Sequence, residues 1–103
     1  MAYKMRLIQK YQIGKEDLFW DLEKQFAALE KRRPDFPKGR RFKPVSAMIP
    51  CNALIVEWEF PSLDEAKNCL SFFLGDKEHD VLYQKQSPLM EDVTVEFYET
   101  KDQ

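Results

Sequence analysis

The one histidine of this sequence, His79, is the side chain best suited to proton transfer near neutral pH. It lies in the strongly charged segment 76–80, directly after Gly75. Its functional interpretation is a general base, or an axial ligand of haem, at the mouth of a pocket. The alternative is an exposed surface residue, because charged residues flank it on both sides. We take His79 as a candidate catalytic residue.

Gln9 is the second candidate catalytic residue, because it interrupts an apolar face. Its segment alternates, so that Met5, Leu7 and Tyr11 share a side with Gln9. A buried amide without partners costs about 1–3 kcal/mol, and its presence on such a face indicates a function. The structural alternative is a hydrogen bond to a helix or to an ordered water.

Three aromatic residues, Tyr11, Trp58 and Tyr83, are the candidate ligand-binding residues. Trp58 would form a pocket wall and the tyrosines would supply hydroxyl groups, although each is also suited to the core. The chain has no glycine-rich phosphate loop, and Cys51 and Cys69 show no metal-ligand spacing. We therefore predict no metal site and no cofactor, and the sequence leaves open whether the protein is an enzyme.

Hydrophobic periodicity predicts four strands and three helical segments that would position these residues. In chain order they are a strand at 4–13, a helix at 15–33, strands at 41–50 and 53–60, a helix from Ser62 to Gly75, a short helix at 76–86 and a strand at 92–99. The clearest local signal is the S-x-x-E spacing of Ser62 and Glu65, which is typical of a helix-capping box.

The apolar residues of the helices predict their buried sides. The expected inward residues are Phe19, Leu22, Phe26 and Leu29, widened by Leu18 and Ala27, then Leu63, Ala66, Leu70 and Phe73 or Leu74, and finally Val81 and Leu82. On the first strand, Ile13 continues the core face of Gln9.

This element order is the split βαβ arrangement of ferredoxin-like α+β domains. It predicts an antiparallel sheet in which the fourth strand lies beside the first, followed by the third and the second, with helices on one face. The second strand then lies at an edge, as Pro44 requires, since proline cannot donate to a central ladder. A length of 103 residues predicts that 1–103 form a single domain.

The side of the sheet away from the helices combines charged and apolar residues. Arg6 and Lys10 of the first strand face Glu57, Glu59 and Glu96 of its neighbours, which predicts cross-strand ion pairs. The apolar residues on the same side are Ile8, Ala53, Ile55 and Tyr98. A mixed face of this kind is typical of subunit contacts, so we predict a homodimer formed by sheet-to-sheet packing.

Nucleic acid and membrane are not expected partners. Segment 31–43 carries seven positive side chains and one acid. Such a segment could contact the phosphates of a nucleic acid. The simpler interpretation is a basic helix end followed by a solvated loop. The predicted sheet surface carries glutamates in place of exposed stacking aromatics, which argues against RNA. No apolar run is long enough to span a bilayer, and the charged start of the chain predicts a cytoplasmic location.

Three stretches, "EWEFPSLDEA", "DKEHDVLYQKQSPL" and "VEFYE", together with the strand order, resemble the dimeric α/β-barrel superfamily, including NIPSNAP-like and uncharacterised bacterial proteins. The resemblance implies that two sheets associate into a barrel with the helices outside. It also implies that any pocket lies between the sheet of one subunit and its own helices.

The superfamily includes cofactor-free monooxygenases of the antibiotic-biosynthesis type and haem-degrading proteins. The latter use an Asn on the first strand, a Trp on the third and a His on the second helix, and the resemblance places Gln9, Trp58 and His79 at similar positions. The Gln in place of Asn and the break at Gly75 argue against haem. The sequence thus predicts a dimer with an apolar small-molecule pocket; a cofactor-free monooxygenase and a dimer without catalysis are the alternatives.

Overall fold

The computed structural model describes residues 2–101 as a four-stranded antiparallel sheet with three helices on one face. Its elements are β1 (Tyr3–Tyr11), α1 (Glu16–Arg32), β2 (Arg40–Phe42), β3 (Ala53–Phe60), α2 (Leu63–Gly75), α3 (Lys77–Gln86), a 3-10 turn (Ser87–Leu89) and β4 (Met90–Glu99). The strand order is β2-β3-β1-β4, as predicted. The ferredoxin-like α+β fold is therefore confirmed.

β1 lies at the centre of the sheet and pairs with β3 and β4 along its whole length. Met5, Gln9 and Tyr11 are buried on its helix-facing side. The strand ends two residues before its predicted end, because the chain turns at Gly14, where φ is +92°. The prediction that Ile13 belongs to the core face is therefore wrong, and its side chain is 80% exposed.

α1 buries Phe19, Phe26 and Leu29 against the sheet, as predicted. Leu18 does not widen this stripe, since it is 57% exposed. The buried side of α1 instead includes Glu23 and Glu30, which lie beside the phenylalanines. These two acidic side chains were not expected in the interior, and they belong to the site described below.

β2 is an edge strand, as predicted, but it spans three residues where 41–50 was expected. The rest of that segment is a series of bends with no ladder partner within the described residues. Pro44 and Pro50 account for the difference, because a proline has no amide hydrogen to donate to a neighbouring strand.

Side-chain caps begin both remaining helices. The Ser62 hydroxyl accepts a hydrogen bond from the Glu65 amide at 3.1 Å, which confirms the predicted cap of α2. Asp76 caps α3 by accepting from the His79 amide at 3.0 Å. Val81, expected to be buried, is 55% exposed, and the buried residue of α3 is Gln86. Within residues 2–101, no helix is long and apolar enough to cross a bilayer.

The outer face of the sheet carries the predicted cross-strand ion pairs only in part. Glu57 accepts from Arg6 at 2.9 Å and lies 3.2 Å from the Lys4 ammonium group. The Arg6 guanidinium also lies over the Tyr98 ring, 4.9 Å from its centre. Lys10 pairs with Glu91 at the end of β4, and not with the glutamates of the outer face.

Candidate ligand cavity

A cavity of about 260 Å³ lies between the sheet and the helices that cover it. Leu7 and Gln9 of β1, with Val56 of β3, form part of its floor. Six of the wall residues carry aromatic rings: Phe26, Phe36, Trp58, Phe73, His79 and Tyr83. Close packing is the rule in protein interiors, so an opening of this size among large apolar side chains is a candidate binding site.

Four of the five candidate residues from the sequence line this cavity: Gln9, Trp58, His79 and Tyr83. They come from β1, β3 and α3, and the fold brings them together around one space. Tyr11 lies elsewhere in the core. Its ring packs against those of Phe19 and Trp20, at centroid distances of 4.8 and 6.1 Å.

His79 lies in the cavity wall and is only partly exposed, unlike the surface residue that its charged neighbours suggested. Its ring packs among those of Phe26, Phe73 and Tyr83, at 5.0, 5.3 and 6.4 Å. Burial lowers the pKa of the imidazole, although the carboxylates of Asp76 and Glu30 act in the opposite direction. The imidazole is therefore neutral at physiological pH and is able to accept a proton.

Arg33 fixes the position of the helix that carries His79. Its guanidinium donates to Asp76, the cap of α3, at 2.7 Å, and contacts Glu78 at 3.3 Å. It also pairs with Asp35 at 2.7 Å. These ion pairs neutralise part of the basic segment 31–43, and they connect the end of α1 to the start of α3.

Two amide oxygens in the cavity wall have no hydrogen-bond partner. They are Oε1 of Gln9 and Oε1 of Gln86, on side chains that are 5% and 0% exposed. Gln86 donates its amide hydrogens to Glu23 at 3.0 Å and to the Phe19 carbonyl at 3.5 Å. Buried polar atoms are normally paired, so these two acceptors without partners distinguish the polar part of the cavity wall.

Trp58 is held at the cavity wall by the close approach of the chain at Gly39. A Cβ at position 39 would lie 2.7 Å from a Val56 methyl group and 2.8 Å from Nε1 of the Trp58 indole. Glycine is therefore the residue that lets the backbone pass over the indole edge. The Gly39 amide in turn donates to Oε1 of Glu30 at 2.9 Å.

Three charged side chains line one part of the cavity, and the sequence analysis missed them as a site. Arg41 of β2 donates from Nε to Glu23 at 2.6 Å and also donates to Glu30. Burial alone lowers the pKa of the Arg41 guanidinium, but the hydrogen bond to Glu30 and the two carboxylate charges raise it above its ordinary value. We call Glu23, Glu30 and Arg41 the buried charge cluster.

A pattern in the sequence could have identified this cluster. Phe19, Glu23, Phe26 and Glu30 follow one another at steps of four, three and four, so the two acids share the core-facing side of α1. Arg41 pairs with Val56, which places it on the helix-facing side of the sheet. Acidic residues within a core stripe and a basic residue on the facing strand together indicate a buried ion pair.

The cavity opens to the surface between α2 and β4. Leu74, Val93 and Val95 line it there and are 67%, 39% and 36% exposed. Val93 and Val95 lie on the helix-facing side of β4, so this entrance is apolar.

Neither metal nor thiol chemistry is indicated at this site. Among residues 2–101 there is no group of three histidine, cysteine or acidic side chains arranged to hold a metal ion. Cys69 is buried in the nearby core, and desolvation, with a contribution from Glu30, raises the pKa of its thiol to about 12. Its thiolate form, the reactive one, is therefore scarce at neutral pH.

Solved structures that this chain resembles include NIPSNAP-like proteins and a candidate antibiotic biosynthesis monooxygenase. A NIPSNAP family protein of Agrobacterium tumefaciens matches 98% of this chain and 87% of its own, with 18% identity and a TM-score of 0.77. An uncharacterised NIPSNAP domain protein of Burkholderia xenovorans matches 98% and 95%, with 14% identity and a TM-score of 0.76. A candidate antibiotic biosynthesis monooxygenase of Caulobacter crescentus matches 98% and 91%, with 14% identity and a TM-score of 0.71.

The chain matches no protein-family model and no curated protein sequence. The resemblance to NIPSNAP-like proteins is thus confirmed at the level of the fold. Identities of this order establish a shared architecture and not a shared reaction, so the function has to be argued from the cavity itself.

Proposed function

We propose that this protein binds an apolar, largely aromatic small molecule in the cavity between its sheet and its own helices. The observation that carries the proposal is the opening of about 260 Å³ walled by six aromatic rings. An apolar cavity of about 150 Å³ already accepts benzene, so the space here suits a larger, two-ring molecule. A bound molecule would also supply the donors that Gln9 and Gln86 lack.

The proposal is tested with an uncharged two-ring probe, naphthalenemethanol, by calorimetry and by thermal unfolding. We expect saturable binding and a raised melting temperature in the presence of the probe. Val95→Trp should abolish binding, because the indole would occupy the entrance. Val81→Trp is the matched control, since Val81 is similarly exposed on α3 but does not line the cavity. Absence of saturable binding to the native chain would overturn the proposal.

We also propose that the chain is a homodimer of single-domain subunits, packed sheet against sheet into a barrel. The outer face supports this, because Ile8 and Ile55 lie opposite each other on neighbouring strands and form an apolar pair. The ion pairs that Glu57 forms with Lys4 and Arg6 lie beside it. Sedimentation should give twice the chain mass of 12.3 kDa. Ile55→Lys should give the single chain, and Lys67→Glu on exposed α2 should not. A single chain at micromolar concentration for the native protein would contradict the dimer.

A cytoplasmic location remains part of the proposal. Its support is that both cysteines are free, with Cys51 exposed and Cys69 buried, as is usual in a reducing compartment. At the oxidising cell surface, the exposed Cys51 residues of two chains would form a disulfide, and a covalently linked dimer would be detected. Fractionation of cells that express the tagged chain, with immunoblotting of each fraction, is the direct measurement.

A second candidate function is oxygenation without a cofactor. It is favoured by the neutral imidazole of His79 in an aromatic cavity, where a general base would remove a proton from a hydroxyaromatic substrate. The fold is also shared with the candidate monooxygenase of Caulobacter crescentus. Oxygen consumption with a hydroquinone should then be lost in His79→Ala and Gln9→Ala, both still folded. Binding without oxygen consumption would indicate a ligand-binding dimer. The absence of both binding and oxygen consumption would indicate a purely structural dimer.

A further inference from the structure

The charges that line the cavity do not cancel. The buried charge cluster contains two carboxylates, Glu23 and Glu30, and one guanidinium, Arg41. The side chains of the two acids are 6% and 9% exposed, so water screens them little. No other charged residue of the described chain lines this cavity, and the nearby His79 is neutral at physiological pH. The formal charge of the cavity is therefore −1.

The unpartnered polar atoms of the cavity carry the same sign. Oε1 of Gln9 and Oε1 of Gln86 are both acceptors with a partial negative charge, and both lack a partner. The Gln86 oxygen is held in place because its own amide group donates to Glu23. Both oxygens belong to residues that line the cavity, and both lack the hydrogen-bond donor that a buried acceptor normally has.

The aromatic walls add a third contribution of this sign. The face of an aromatic ring is negative, and it attracts a cation most strongly where water is excluded. Trp58, Tyr83 and Phe73 all line the cavity. The Trp58 Nε1 group is the one buried donor there without a partner within residues 2–101, and it lies against Gly39. An anionic ligand would thus meet repulsion with little compensation.

We infer that this cavity selects a hydrophobic cation: an apolar, ring-containing molecule with an ammonium or amidinium group placed against Glu23, Glu30 and the free oxygens of Gln9 and Gln86. The inference rests on the proposed function and specifies its ligand class. The ammonium group neutralises the excess carboxylate and donates to the amide oxygens, while the apolar body packs among the rings. Carboxylate and phosphate ligands are excluded by the same charges.

Three ligands of nearly equal shape separate charge from apolar fit. They are naphthylmethylamine, which is protonated at neutral pH, the uncharged naphthalenemethanol, and the anionic naphthoic acid. We expect calorimetry to show that the amine binds at least about tenfold more tightly than the alcohol, and that the acid does not bind. Equal affinities of amine and alcohol would overturn the charge inference and leave the proposed function standing. Absence of binding by all three would overturn both.

Glu23→Gln tests which residues create the preference. The substitution removes the excess charge and keeps the shape, and the new amide can donate to the Gln86 oxygen if that side chain turns over. We expect the ratio of the amine affinity to the alcohol affinity to fall to about twofold or less. Glu57→Gln, on the outer face, is the matched control and should keep the full preference. A preference that persists in Glu23→Gln would contradict the assignment.

Discussion

The imidazole of His79 lies parallel to the ring of Phe73, with 4° between their planes and 5.3 Å between their centres. The two residues come from consecutive helices, so the contact joins α2 to α3 across the break at Gly75. Because burial lowers the pKa of His79, this contact is made with the neutral ring. Protonation therefore opposes folding at this position.

The first prediction concerns the pH dependence of stability. His79 in the unfolded chain titrates near pH about 6.5, and its pKa in the folded chain is lower. Between these two pKa values the imidazole is protonated in the unfolded chain and neutral in the folded chain. The contribution of His79 to the free energy of unfolding is therefore complete above the unfolded-state pKa, and it is lost as the pH falls to the folded-state pKa. His79→Phe keeps the ring contacts and should remove this decline.

Urea unfolding of both chains at a series of pH values from neutral to mildly acidic is the measurement. The carboxylates nearest His79, namely Asp76, Glu30 and Asp80, are present in both chains, so the difference between the curves reports the imidazole together with its effect on the pKa of Asp76. Parallel stability curves for the native chain and His79→Phe would contradict a buried neutral imidazole.

The second prediction compares the two buried glutamines. In Gln9 the amide oxygen has no partner, so Gln9→Leu should leave the free energy of unfolding unchanged or raise it by up to about 1 kcal/mol. Gln86 donates to Glu23 and Phe19, so Gln86→Leu should lower it by about 1–3 kcal/mol. Binding of naphthylmethylamine should weaken in both. A large loss of stability in Gln9→Leu would show that its amide has a structural purpose.

The third prediction concerns the buried charge cluster. Arg41→Met leaves two buried carboxylates without a counter-ion and should lower the free energy of unfolding by about 3–5 kcal/mol. Replacing all three charges, with Glu23→Leu and Glu30→Leu added to Arg41→Met, should recover most of that loss, since an apolar cluster needs no counter-ion. Chemical denaturation of the two variants is the measurement. Losses that simply add would contradict a coupled cluster.

The fourth prediction compares two glycines. Gly39→Ala places a methyl group within 3 Å of Val56 and Trp58 and should cost about 1–3 kcal/mol, with a shifted tryptophan emission. Gly75→Ala meets no atom within 4 Å and lies in the last turn of α2, so it should be neutral or stabilising by up to about 1 kcal/mol. Equal effects on the melting temperature would show that the close approach at Gly39 is relaxed.

The architecture could be predicted from the sequence because its signals are local. Alternation defines β1 and β3, the Ser62 cap defines the start of α2, and the element order places β2 at an edge. The predicted length of β2 was wrong, because the range 41–50 contains Pro44 and ends at Pro50, and neither residue can donate to a ladder. Ile13 lies beyond the end of β1 and Val81 lies in the middle of α3, and in neither case does the residue type alone reveal that a packing partner is missing.

The candidate site was predictable in part. Gln9 was notable because it is polar on an apolar face, and that single irregularity led to the right side of the sheet. Glu23 and Glu30 were overlooked because acids on a helix are normally solvated, and only a cation on a facing strand changes that interpretation. Arg41 is that cation, but its facing position depends on a register that three residues of β2 define.

The apolar entrance of Leu74, Val93 and Val95 has a kinetic consequence. A molecule that reaches the cavity there passes between side chains, and no ladder hydrogen bond or helical turn has to break first. Capture and escape would then be limited by encounter and by desolvation, and not by an opening step of the backbone. Occupancy would follow the surrounding concentration from moment to moment, which suits a carrier or a sensor better than a store.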